Sequence, residues 1–266
     1  MKKRIEKRVE NNNEDERVLF DGLKLWAGNS DALETYLISR AKRGDLTRVF
    51  YLNAHTYNLL CKDVGYRKFL CEAEVLYADG MSVVWAARAC GGRVFRMTAV
   101  DFFDDFLARA EEEGLGLYFL GGKPGVVDRA CDVWRGRYPK LRIVGSHHGY
   151  FDRDGVHQGE ILADINTSKA DILLIGMGSP SQEILANRCR DTVRVPVIWT
   201  LGALFDYYAG EEKAAPRWLA KMGFEWFYRL WRDPRNKWRR YLIGNALFLY
   251  RAGKVIIKSH ISGIKQ

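Results

Sequence analysis

The sequence predicts an α/β fold: a Rossmann-like, mostly parallel sheet with helices on both faces, plus a basic, aromatic-rich C-terminal helical appendage. Two observations predict the sheet and a third the appendage. Strand-like runs recur at RVFYLN, AEVLYA, LGLYFLGG, LRIVGS, ADILLIGMG and VPVIWTLG. Segments of helical periodicity, such as AVDFFDDFLARAEEE and PGVVDRACDVWRGRY, separate them, and that alternation is the pattern of βαβ units. From Trp218 onward the chain mixes aromatics with arginine and lysine and shows no strand alternation.

In chain order, residues 1–17 mix both charge signs around an Asn run and read as a disordered charged tail, without the continuous apolar segment of a secretory signal. VLFDGLKLWAG alternates as a short strand pair, and SDALETYLISRAKRGD reads as a helix with Ser30 or Asp31 as its N-cap. The α/β domain spans 18–215 and the appendage 216–266. Asp101, Asp104 and Asp105 fall on the solvated side of an amphipathic helix.

Composition narrows the function classes. With 266 residues, 47% hydrophobic and 28% charged, the chain is long enough to bury a substantial core. Its five cysteines are scattered, odd in number and without C-x-x-C pairing, which argues against a disulfide framework or a zinc site and fits reduced cytoplasmic thiols. The best apolar run, YLIGNALFLY, is about half the roughly 20 residues that a spanning helix needs, so no membrane span is expected. The net charge of +9 is concentrated: between Lys213 and Lys258, twelve bases face two acids. Three partners suit that segment, namely an anionic membrane surface, nucleic acid, or a diphosphate. Basic helices bearing Trp and Phe favour the membrane interface, and no nucleic-acid-binding module is visible. A non-catalytic basic protein that binds anionic lipid or nucleic acid is the rival class. Oligomeric state is left open, a homo-oligomer included.

In parallel sheets ligands bind beyond the carboxyl ends of the strands, so the residues just after each strand are the candidates. They are Asn53, Asp79-Gly80, Gly121-Gly122-Lys123-Pro124-Gly125, Gly178-Ser179-Pro180-Ser181-Gln182-Glu183, and Gly202 with Asp206. By position Asp79 is an N-cap for a helix starting near Met81, and it is also a carboxylate able to take a proton from a bound hydroxyl. GGKPG serves either as a tight turn or as a phosphate cradle, and it matches neither the dinucleotide nor the P-loop fingerprint. Gln182 and Glu183 offer side chains able to hydrogen-bond a sugar or base. His147 and His148 lack a third ligand at sensible spacing, and Asp152 and Asp154 resemble a turn more than a calcium loop, so no metal is expected.

An ordered set of motifs, YLNAHTYNLL, ADGMSVVWAAR, RMTAVDFFDDF, YFLGGKPGVV, INTSKADILLIGMGSPSQE, LGALFDYYAGEEKAAPRW and FEWFYRLWRDPRNKWRRY, resembles the WecG/TagA/CpsF family of bacterial glycosyltransferases from about Val18 to Tyr241. The resemblance implies inverting transfer from a UDP-sugar donor to a sugar acceptor linked to a polyprenyl diphosphate, by a peripheral protein on the cytoplasmic face of the cell membrane. It implies that Asp79 is the catalytic base. It gives substrate-positioning roles to Asn53 and Gln182, and the donor diphosphate to Arg229, Arg235 and Arg239; Arg96 and Thr98 within the RMTAVDFFDDF motif and the strand-end residues Gly121, Gly122, Gly178, Glu183 and Asp206 are the further expected substrate contacts. With arginines there and no D-x-D at a strand end, the reaction is expected to need no metal or other cofactor. The chain departs from the family pattern at Tyr51, where threonine is usual, and at Ala99, where glycine is usual.

Overall fold

The computed structural model describes residues 17–152, 155–216, 219 and 222–261. The expected tail before Arg17 and Asp154 of the YFDRDG turn lie outside them, as do a few residues of the appendage.

The first elements are the antiparallel strands β1 (Arg17–Phe20) and β2 (Leu23–Trp26). Asp21 and Gly22 join them, both with positive φ, which is the Asp-Gly chemistry a two-residue hairpin turn requires. Helix α1 (Ser30–Arg43) follows. Its N-cap is neither Ser30 nor Asp31, which are already helical, but Asn29, held extended with its side chain accepting from the Ala32 amide.

The remaining strands are β3 (Thr47–Leu52), β4 (Val75–Ala78), β5 (Gly116–Gly121), β6 (Arg142–His147), β7 (Ile172–Gly176) and β8 (Val197–Thr200). They form one sheet in the order β4-β3-β8-β7-β5-β6, and every pairing is parallel. β3, β4, β5, β7 and β8 are buried along their whole length, hence their nearly unbroken apolar character, whereas the edge strand β6 is more polar and only partly buried. A charged side chain enters this layer: Arg48 is 1% exposed, and its guanidinium is met by Glu74 at 3.0 Å and by Asn187 at 2.8 Å.

Between the strands run α2 (Ala54–Leu60), α3 (Val64–Cys71), α4 (Met81–Ala89), α5 (Ala99–Glu112), α6 (Val126–Arg137), α7 (Val156–Ser168), α8 (Ser181–Cys189) and α9 (Leu204–Tyr208). Helices α1, α5, α6 and α9 cover one face of the sheet around an aromatic core in which Trp134 stacks on Phe119 at 4.6 Å. Helices α2, α3, α4, α7 and α8 cover the other. The chain leaves β5 toward β6 and leaves the neighbouring β7 toward β8, in opposite directions, so a topological switch point opens between β5 and β7.

The described part of the appendage consists of α10 (Glu225–Arg232), α11 (Pro234–Trp238), a π turn at Arg239–Ile243 and α12 (Gly244–Ile261). Helix α12 docks on α2. The Asn58 amide donates to the Gly244 carbonyl at 2.7 Å, Arg251 donates to Asn58, and Phe248 packs edge-on against Tyr57. Phe248 and Ala252 are thereby drawn into the same core as the sheet. Among the described residues no helix is long and apolar enough to cross a membrane.

Candidate active site

Asp79 follows β4 and hydrogen-bonds through its own amide to the Leu52 carbonyl of β3. It does not cap α4. Gly80 is the N-cap, with φ of 95°, and the turn that only glycine makes easily swings the chain away before the helix starts and leaves the carboxylate free. Both carboxylate oxygens are then held, one from the end of β3 and one from the start of α5. Asn53 Nδ2 donates to Oδ2 at 3.1 Å, and Thr98 Oγ1 donates to Oδ1 at 3.0 Å.

Each of these partners is positioned by local structure. Asn53 is the N-cap of α2: its Oδ1 accepts from the amides of His55 and Thr56, and the Thr56 hydroxyl answers the Asn53 amide in a capping box. With its oxygen so engaged, the Asn53 side chain can only present its NH2 to Asp79. Thr98 stands at the N-cap of α5 yet makes no cap bond, its hydroxyl being turned to Asp79 instead. The Met97 amide pairs with the last carbonyl of β4, which lays the Arg96–Thr98 segment across the strand mouth.

Asp79 opens into a cavity of about 520 Å³ bounded by Asn53, His55, Arg96, Glu225, Arg229 and Arg240 and continuing between α4 and α12. Burial raises the Asp79 pKa above the usual carboxylate range, and the Glu225 charge adds to the rise; the Asn53 hydrogen bond, the Arg229 charge and the Thr98 hydrogen bond oppose it. Burial, helped by the Arg240 charge, pulls His55 down to about 4, so it is neutral near pH 7. Glu225 ties the cations together, bonding to Arg229 one turn on and lying 3.7 Å from Arg96. The Arg229 guanidinium also lies over the Tyr207 ring at 5.4 Å.

Arg235 and Arg239, expected at the diphosphate, do not line this cavity. Both are exposed, and the Arg239 guanidinium lies over its neighbour Trp238. The π turn that begins at Arg239 shifts the helical register, so Arg240 is the residue delivered to the cavity. Arg240 and Glu225 were not singled out in the sequence; the WRRY pair was the available signal for the first, and for the second the rarity of acids in a basic segment.

A second cavity, about 590 Å³, lies at the switch point, lined by Gly122, Lys123, Gly178, Gly202 and Asp206 among others. The backbones approach closely here: a Cβ on Gly121, whose φ is 153°, would stand 2.2 Å from the Gly176 carbonyl oxygen. Burial, with Glu212 and Glu211 nearby, raises the Asp206 pKa, and Lys123 and Lys237 oppose the rise.

Gln182 and Glu183 are both wholly buried, beneath the mouths rather than open to either cavity. Gln182 donates to Tyr51 Oη at 3.0 Å and to Glu183, and it accepts from the Gly202 amide at 3.0 Å, bracing β3 against β8. Tyr51, the residue that departs from the family pattern, also meets Ser179 at 3.2 Å. Gln182 thus acts through Tyr51 and Gly202, while Glu183 accepts from Ser179 at 2.8 Å and from Gln182 at 2.7 Å, and burial raises its pKa. Among the described residues no group of three or more His, Cys, Asp or Glu side chains is placed to hold a metal ion, and none of the five cysteines is disulfide-bonded.

A desolvated carboxylate at one strand mouth, guanidinium groups beside it and a glycine-lined crevice at the switch point mark the ligand-binding end of an α/β enzyme fold. More particularly, the sequence profile of the glycosyl transferase WecG/TagA/CpsF family matches residues 18–261, and the chain belongs to that family. It is a glycosyltransferase of glycan biosynthesis, with a sugar donor and an acceptor as its substrates.

Proposed function

We propose that the protein transfers a sugar from a UDP-sugar to a sugar linked to a polyprenyl diphosphate, with inversion and with Asp79 as general base. The nucleotide occupies the glycine-lined crevice at the switch point, with Asp206 and Lys123 at its edge. The donor sugar reaches toward Asp79. The acceptor hydroxyl attacks the anomeric carbon, its proton passes to Asp79, a new glycosidic C–O bond forms and the C–O bond to UDP breaks. The departing diphosphate takes the electron pair, and Arg229 and Arg96 meet its growing negative charge, so no metal is required.

The observation that carries this reading is the setting of Asp79. Its two oxygens are aligned by Asn53 and Thr98, and its pKa is raised toward the range in which a carboxylate accepts a proton well. Peripheral attachment to the cytoplasmic face of a membrane is supported by exposed Phe227 and Trp231 among the bases of the appendage. Mass spectrometry of products from a panel of UDP-sugars and lipid-diphosphate sugars, with and without chelator, tests the proposal. A glycosylated acceptor with inverted anomeric configuration, formed equally well in chelator, is expected; loss of product in chelator overturns the metal independence, and absence of product from every pair overturns the reaction.

A further inference from the structure

The cavity over Asp79 does not end at its polar groups. It runs on between α4 and α12 as a trough with small side chains along it, Ala86 and Ala89 from α4 and Ala252 and Gly253 from α12. Trp85 and Leu249 form its rim and are 56% and 66% exposed. Gly253 is the telling position. It lies inside an 18-residue helix, where glycine costs about 1 kcal/mol relative to alanine, and a Cβ there would have no atom within 4 Å. The chain keeps this space open and fills it with nothing of its own.

One helical face leads from charge to hydrocarbon. Arg240 at its head faces the same cavity as Asp79, and Asn245, Leu249, Gly253 and Ile256 succeed it at helical spacing. From Asn245 to Ile256 the face is about 17 Å long, close to the roughly 15 Å depth of one leaflet of bilayer hydrocarbon. A molecule complementary to such a trough has a polyanionic head and a long apolar tail. A peptide or a second copy of this chain would not bring an anion to Arg240 at one end while leaving a reactive hydroxyl at Asp79.

We infer that the α4–α12 trough binds the first isoprenoid units of the acceptor's lipid, with the adjoining diphosphate at Arg240, and so delivers the acceptor's sugar to Asp79 from the membrane side. The inference rests on the lipid-linked acceptor of the proposed reaction. It adds that the enzyme grips the chain itself rather than only the sugar and diphosphate.

Two measurements test it, and the first requires no sugar transfer. Calorimetric binding of farnesyl diphosphate is compared with that of inorganic pyrophosphate for the wild-type protein, Gly253→Ala and Gly253→Leu. Both variants have better helix formers at an open position, so their melting temperatures should not fall. Farnesyl diphosphate is expected to bind the wild-type protein more tightly than pyrophosphate does, and Gly253→Leu to weaken it about tenfold or more while pyrophosphate affinity stays put. Equal affinities for the two ligands in the wild-type protein, or no selective loss in Gly253→Leu, overturn the trough. In the second measurement, KM is compared for acceptors that share a sugar-diphosphate head but carry a long polyprenyl or a five-carbon chain. Gly253→Leu should raise the long-chain KM at least about tenfold more than the short-chain KM. Equal changes refute the inference and leave the reaction standing, whereas transfer to neither acceptor by the wild-type enzyme refutes the reaction itself.

Discussion

Replacing Asp79 with asparagine separates chemistry from architecture, because the site can accept the amide without losing a hydrogen bond. In the native site Asn53 donates to one carboxylate oxygen and Thr98 to the other. Asn53 cannot turn over, since its oxygen caps α2 through His55 and Thr56. The introduced carboxamide therefore points its oxygen at Asn53 and its NH2 at Thr98, whose hydroxyl rotates to accept. Two hydrogen bonds remain, the volume is unchanged, and a buried charge is gone. The raised pKa of Asp79 means that ionising it costs the fold stability, a cost present above its folded pKa and relieved as the group protonates. The variant should consequently melt no lower than the wild-type protein near neutral pH. Catalysis should fall by about 10²–10⁴, the usual worth of a general base, or roughly 3–5 kcal/mol of barrier. Product formation by mass spectrometry and melting by circular dichroism, on the same preparations, supply both readings. Turnover within a few-fold of wild type in a fully folded Asp79→Asn protein would refute the assignment of the base.

Glu225→Gln removes a negative charge that raises the Asp79 pKa, so the acidic limb of the kcat/KM profile should move to lower pH; an unmoved limb would show that Asp79 is not the group titrating. Glu34, on α1 and 3% exposed, has its pKa raised to about 7 by burial despite contact with Arg109, so its contribution to stability is full below the unfolded value of 4.5 and is lost as the pH rises to about 7. Glu34→Gln should cancel up to about 3 kcal/mol of that decline, seen in urea unfolding at about pH 5 and pH 8. Trp231→Ala combined with Phe227→Ala should weaken cosedimentation with anionic vesicles without lowering the melting temperature, because both side chains are exposed.

The sheet was legible because five of its strands are buried on both faces and therefore read as apolar runs bounded by glycine or polar turns. Their mouths were legible for the same reason, which is how Asp79, Asn53 and Asp206 came into view. Three features were hidden. Asp79 resembled an N-cap because the φ of Gly80 is not written in its letter. Gln182 resembled a ligand group because its partners, Tyr51 and Gly202, are remote in sequence and meet it only when β3 and β8 pair, and Glu183 because its complete burial comes only with the packed fold. Arg239 displaced Arg240 in the reading because a π turn changes which of two adjacent arginines faces inward, and nothing in helical periodicity announces it.

The double duty of Asn53 has a consequence for spectroscopy. Its oxygen caps the amides of His55 and Thr56 while its nitrogen holds Asp79, so one rigid side chain links two backbone protons to the carboxylate. A change of charge on Asp79 polarises that amide group and alters the acceptor seen by both protons. The ¹⁵N–¹H resonances of His55 and Thr56 should therefore titrate with Asp79 and serve as an in-place meter of its ionisation, readable in the resting enzyme with no substrate bound.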